Sequence, residues 1–247
     1  MNIINGERRG LVVPALVLAL GLAAAAAIWG RAFVAARGAG EGLTVKGTAE
    51  APATSVLAVW RGSVTVRAAD LAQAARELDQ QARRVATWLE SQGVKPGEWE
   101  WLPTESRTLF RQDARGSESA VVEGYRLERP LRVKSTRVRE VARLVLAADG
   151  LLAEGVAWTS QSPEYYLGDL EAVKLDLLGR AAADARRRAE ILAGGARRLG
   201  GLVSARQGIL QVTEPNSVEV EDYGMYSTGT IEKMVKAVVT VTFALKP

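Results

Sequence analysis

The chain has 247 residues, 48% of them apolar, enough to bury a sizeable core in one large domain or two small ones. It holds neither cysteine nor histidine, which excludes disulfides, thiol nucleophiles, thiolate metal sites and Ser-His pairs and argues against catalysis, while carboxylate or lysine chemistry remains open. Most of the net charge of +4 sits in residues 1–40, where Arg8, Arg9, Arg31 and Arg37 face only Glu7; the remaining body is balanced to within one charge, so no nucleic-acid partner is expected.

Leu11 to Trp29 is an uncharged apolar run. As a helix it would span roughly 28 Å, close to the hydrocarbon thickness of a bilayer. Arg8 and Arg9 before it favour a cytoplasmic N-terminus and a body outside, although Arg31 and Arg37 blunt that bias. Ala25-Ala26-Ala27 leaves a cleaved signal peptide open, but the run exceeds the usual signal core of about 7–15 residues. The expected organisation is a cytoplasmic segment 1–10, a single-pass transmembrane signal anchor 11–30, a glycine-rich linker 31–42 and a body 43–247 in the periplasm or at the cell exterior.

Within the body, Leu43 to Val66 predicts two strands interrupted near Ala51-Pro52-Ala53, the second alternating Val56, Ala58, Trp60, Val64 and Val66 with polar residues. Asp70 to Gln92 has a helical period, with Leu71, Ala74, Leu78, Ala82, Val85 and Leu89 in one stripe and Gly93 at the C-terminal cap. Glu98 to Thr108 reads as one strand bearing Trp99 and Trp101, and Asp113 to Ser119 as a hairpin loop. Val121 to Lys134 alternates as a strand, and Pro130 argues for an edge position or a bulge. Ser135 to Ala148 predicts a second helix ended by Gly150, and Gly155 to Ser160 a short strand holding Trp158.

A long helix is expected from about Pro163-Glu164 to Arg198, with a break considered at Gly179. Its stripe runs through Leu177, Ala181, Ala185, Ala189 and Leu192, and the alanines would let a neighbour approach closely. Arg186, Arg187, Arg188, Arg197 and Arg198 lie off that stripe, with Asp184 and Glu190 at pairing distance along the helix, so a solvated charged face is expected. Strands follow at Leu202 to Val212 and Val235 to Lys246, separated by a long loop from Thr213 to Thr230. The fold class expected is α+β: an antiparallel or mixed sheet with helices on one face, two strand-helix-strand units, then a long C-terminal helix and strands, preceded by one transmembrane helix.

Several stretches in this order resemble the SIMPL-domain family, a domain of unknown function: LTVKGTAEA, GYRLERPLRV, the run from Tyr165 through the alanine-rich helix to Pro215, and IEKMVKAVVTVTFAL. The resemblance covers roughly residues 43–246 and looks like the membrane-anchored subgroup. It departs where members carry Pro-Asp, since Ala53 follows Pro52 here. The resemblance implies an exported or envelope-associated protein able to form a large ring- or cage-like homo-oligomer, with no general enzymatic activity and no cofactor.

No nucleophile elbow, phosphate loop or dinucleotide fingerprint is present. Glu219, Glu221 and Asp222 form an acidic cluster in the long loop, short of the oxygen ligands a calcium site needs. Tyr165, Tyr166, Tyr223 and Tyr226 are the candidate subunit-interface residues, because tyrosine is enriched at interfaces; packing against the long helix is the plainer role. No catalytic residue, cofactor, metal or small-molecule substrate is expected. The function anticipated is a membrane-anchored, non-enzymatic protein that assembles into a large homo-oligomer, with a tethered binding module for envelope lipid or peptide as the alternative and a carboxylate hydrolase behind both.

Overall fold

The computed structural model describes residues 16–31, 42–112, 118–195, 198–217 and 226–246. The order is helix α1 (residues 16–31), β1 (Gly42–Thr54), β2 (Leu57–Ala68), α2 (Leu71–Ser91), β3 (Trp99–Trp101), β4 (Glu105–Gln112), β5 (Glu118–Ser135), α3 (Val138–Ala147), α4 (Gly150–Ala153), β6 (Trp158–Ser160), β7 (Glu164–Tyr166), α5 (Glu171–Ala193), β8 (Arg198–Gln207), β9 (Gln211–Thr213) and β10 (Glu232–Lys246). The class is α+β, with every recorded ladder antiparallel. The strands form two sheets rather than the single one expected: a six-stranded sheet in the order β3-β5-β2-β6, with β4 beside β5 and β7 beside β2, and a four-stranded sheet in the order β1-β10-β8, with β9 beside β10. No helix among the described residues is long and apolar enough to cross a membrane. α1 covers 16–31, and residues 11–15 of the expected span lie outside the described residues.

The chain divides into two compact units. The larger holds Glu50–Leu177 and Ile209–Ala237. Its core is filled by large side chains: Trp60, Val64, Leu131 and Val133 from β2 and β5 meet Leu78, Val85 and Leu89 of α2 and Val141 and Leu144 of α3. The opposite face of β2 carries Arg61, Thr65 and Arg67, none of them buried, together with Val59 and Ser63, which are. The α2 stripe is buried as expected except for Leu71, which is 45% exposed in the first turn. Asp70 caps α2 by accepting from the Gln73 amide at 2.8 Å, which satisfies one of the orphan donors of a helix start.

The smaller unit holds Met1–Ala49, Leu178–Gly208 and Val238–Pro247. Here Val45 of β1 and Val239, Val241 and Phe243 of β10 are buried together with Ala181, Ala185 and Ala189 of α5. The close approach expected of the alanines occurs at Gly47. A Cβ built there would lie 2.1 Å from the Ala181 carbonyl oxygen and 2.7 Å from the Ala185 Cβ. Helix and strand touch backbone to backbone, which only glycine facing alanine allows. Asp184 fastens the contact, accepting from the Thr48 amide at 3.0 Å and pairing with Arg188 at 2.7 Å.

Several expectations are corrected. The β1–β2 break falls at Ser55-Val56, and β1 runs through Pro52. The strand expected over 98–108 is two, β3 and β4, and that over 202–212 is likewise divided into β8 and β9. Pro130 is not at an edge: β5 has partners on both sides. The Pro130 carbonyl accepts from Leu102 at 2.8 Å, so its donor-less nitrogen faces the gap between β3 and β4, where no ladder bond is lost. Gly150 does not end a helix; it opens the single turn of α4. The long helix is shorter at both ends. Its expected start is strand β7, its end is Ala193, and Gly179 lies inside it without a break. Gly194 and Gly195, at φ 63° and 72°, stop it in a conformation that favours glycine, so Leu199 belongs to β8 and Leu192 is 65% exposed. The hairpin tip at 113–117 lies outside the described residues.

Candidate functional site

Strand β7 sets three of the candidate residues by its register on β2: Glu164 opposite Val59, Tyr165 opposite Ala58 and Tyr166 opposite Leu57. Strand alternation sends Tyr165 inward, where it joins the core at 6% exposure and burial pushes its phenol up. Glu164 and Tyr166 face the other way. The Glu164 carboxylate accepts from Arg61 at 2.7 Å and from the Tyr166 hydroxyl at 2.9 Å. The Arg61 hydrogen bond, then that of Tyr166, holds Glu164 below the usual carboxylate range, and the same bond raises Tyr166.

Tyr226 reaches this corner through a parallel bridge to Val212. Its ring stacks on Tyr166 with centroids 6.4 Å apart at 29°, and its hydroxyl accepts from the Leu167 amide at 3.1 Å. Tyr226 remains 47% exposed. Of the four tyrosines, Tyr166 and Tyr226 are brought together, Tyr165 is committed to the core, and Tyr223 lies outside the described residues, as do Glu219, Glu221 and Asp222. The corner offers a flat aromatic surface beside a neutralised ion pair. Its carboxylate is held ionised by two donors, which suits structure better than proton transfer near neutral pH.

Sequence reasoning missed Lys233, which lies beneath the loop that carries Tyr226. It is 1% exposed, and its ammonium donates to the Ser227 carbonyl at 2.7 Å. Burial lowers its pKa, with Glu214 opposing. A signal was available: Lys233 precedes Val235, Ala237 and Val239 in the same period-two phase, the inward one. Among the described residues no group of three acidic, histidine or cysteine side chains could hold a metal ion.

The smaller unit presents a different feature. Among the described residues β8 is an edge strand, paired on one side with β10. Its last seven residues are all exposed, and Leu202 and Val203 stand 63% and 60% open to solvent. An unpaired edge carrying apolar side chains is a template for another strand, and proteins ordinarily cover or charge such edges. Here Arg198 and Arg206 stand at its ends and the middle is uncharged.

No curated protein matches the chain. The family model for SIMPL, described as a protein of unknown function (DUF541), matches residues 43–243, and the chain belongs to this family.

Proposed function

We propose that this SIMPL-family chain is a membrane-tethered, non-enzymatic protein whose body lies outside the cytoplasm and associates with further copies of itself. The observation that carries the association is the open edge of β8, with Leu202 and Val203 exposed in its centre. A second strand laid on that edge would satisfy its free amides and carbonyls and cover both side chains. The tether rests on the uncharged run from Leu11 to Trp29 behind Arg8 and Arg9, part of which is the helix of residues 16–31. The stacked Tyr166 and Tyr226 supply a second, aromatic surface for the same assembly.

Light scattering of the full chain in mild detergent tests the association. A discrete multimer is expected, and Leu202→Glu should shift it to smaller particles with its circular dichroism unchanged. A wild-type monomer at every concentration would end the reading. The topology is tested separately. Because the chain has no cysteine, Ser91→Cys, at an exposed position on α2, gives one labelling site. A membrane-impermeant maleimide should label it in intact spheroplasts; labelling only after lysis would reverse the orientation.

A further inference from the structure

The charge balance of the body conceals a division between its two units. Residues 42–49, 178–208 and 238–247, the part of the smaller unit that follows the linker, hold nine lysines and arginines against two acids, Asp184 and Glu190. The larger unit, Glu50–Leu177 and Ile209–Ala237, holds 19 against 24. The first is therefore at +7 and the second at −5. Every cation among the described residues of the smaller unit is exposed. A field of one sign over so small a unit selects an anionic partner.

The two acids are already spent. Glu190 accepts from Arg186 at 3.1 Å, while Asp184 holds the Thr48 amide and faces both Arg188, at 2.7 Å, and Arg187, at 3.9 Å. Arg187 is left 75% exposed. At the end of the sheet Arg198 of β8 stands directly opposite Lys246 of β10. Like charges facing each other across a ladder repel, and residues 191–208 and 238–247 contain no aspartate or glutamate to come between them. An anion from outside the unit would turn that repulsion into two charge-assisted hydrogen bonds.

Apolar side chains stand beside these cations. Ile191, one turn after Arg187 on the same flank of α5, is 71% exposed, and Leu192 is 65% exposed. Gly194 and Gly195 then turn the chain toward Arg198. A partner made only of phosphate gains nothing from two open aliphatic side chains, whereas a lipid surface meets cations with its headgroups and aliphatic groups with its acyl boundary. The chain also delivers this end of the unit to a bilayer. Residues 32–41 join the helix of residues 16–31 to β1 and reach at most about 35 Å. β1 enters beside the end of β10, where a Cβ built on Gly42 would lie 2.7 Å from the Thr242 Cγ2.

We propose that this basic end of the smaller unit docks on the anionic lipid surface of the membrane that anchors the chain, with Arg187, Arg198 and Lys246 at the lipid phosphates and Ile191 and Leu192 in the interfacial layer. The proposal rests on the membrane tether and adds to it a second contact that depends on lipid charge. It uses no residue from the middle of β8, so the open edge stays available for association.

The full chain reconstituted into vesicles of phosphatidylcholine, alone or with about one-third phosphatidylglycerol, tests it. A single cysteine, Ile191→Cys, carries a polarity-sensitive fluorophore, and headgroup spin-labelled lipid quenches it at the bilayer surface. Quenching should be about threefold stronger in the anionic vesicles and should fall to the neutral level in about 0.5 M salt. Arg187→Glu combined with Arg198→Glu should remove the difference with circular dichroism unchanged. Arg84→Glu combined with Arg143→Glu, at exposed positions on α2 and α3, changes the net charge equally and should leave the difference intact. Equal quenching in the two lipids would overturn the proposal. So would a label that answers to a short oligonucleotide, or to higher protein concentration in neutral detergent, and not to anionic lipid. Flotation separates this contact from the tether. A chain that floats with neutral vesicles but shows no charge-dependent quenching has the anchor without the docking surface; one that floats only with anionic vesicles has the docking surface without a spanning anchor.

Discussion

The two units fill their interiors by opposite means. The larger one packs volume: Trp60, Leu78, Leu89, Leu131 and Leu151 are all at or below 1% exposure, and Trp60 meets Trp158 edge to face at 5.6 Å. The smaller one packs proximity: α5 contributes Ala181, Ala185 and Ala189, and β1 contributes Gly47. Both exclude water, but they fail differently. A core of large side chains is hurt by losing atoms, because a cavity remains. A core of backbone contact is hurt by gaining them, because a helix axis and a strand cannot shift by a methyl group without moving as a whole.

The largest expected effect is in the first kind of core. Trp60→Ala should lose about 3–5 kcal/mol in urea unfolding, since it removes a fully buried indole and leaves its partner Ser160 without the 3.0 Å bond from the indole nitrogen. In the second kind, the addition of one methyl should suffice: Gly47→Ala is expected to lose about 1–3 kcal/mol. Hydrogen exchange would locate the damage. Amides of β1 and of α5 beyond Leu178 should lose protection while those of β2 and β5 keep theirs. If Gly47→Ala were neutral, the close approach of α5 and β1 would be wrong.

A smaller effect separates the polar fastenings of the two units. In the larger unit Glu98 accepts from Arg137, from the Ser135 hydroxyl at 2.6 Å and from the Lys95 amide at 2.8 Å. The Arg137 hydrogen bond is the main cause that takes its pKa from an ordinary 4.5 down to about 2. A depressed carboxylate stabilises the fold above its unfolded pKa, and that contribution is lost as the pH falls from about 4.5 through about 2. Glu98→Gln should therefore cost on the order of 1 kcal/mol at pH 7 and flatten the stability profile across that window. In the smaller unit Asp184 is lowered chiefly by the Thr48 amide, with Arg188 assisting. Asp184→Asn keeps an oxygen for that amide, so its loss at pH 7 should be the smaller of the two.

Long, strongly patterned elements were legible in the chain. The stripe of α2, the alternation of β5 and β10, and the close-packing role of the α5 alanines all follow from residue spacing. Among the three-residue strands, β6 falls within the short strand expected over 155–160, but β7 and β9 were not legible. β7 and β9 are three residues each, and three residues carry no period that separates a strand from a helix start. The misplaced start of α5 follows from this: Tyr165 fits a helical stripe as well as a strand face, and only its pairing with Ala58 decides between them.

The same division holds for the candidate sites. Tyrosine content drew attention to Tyr166 and Tyr226, but their stacking depends on a bridge from Val212 across the intervening loop. Ser55 has no local signal that marks its hydroxyl as orphaned, whereas the period-two phase of β10 places Lys233 inward but does not reveal the Ser227 carbonyl it donates to. By itself the sequence determined the charge balance, the absence of thiol and imidazole chemistry, the apolar run at the start and the order of the long elements, because these depend on residue type and near-neighbour spacing. Tertiary structure alone decided that the strands divide into two sheets, that β8 has an open edge among the described residues and that Ser55 lies beside the start of α3. Those features join residues that are distant along the chain, and no local interaction energy encodes such meetings.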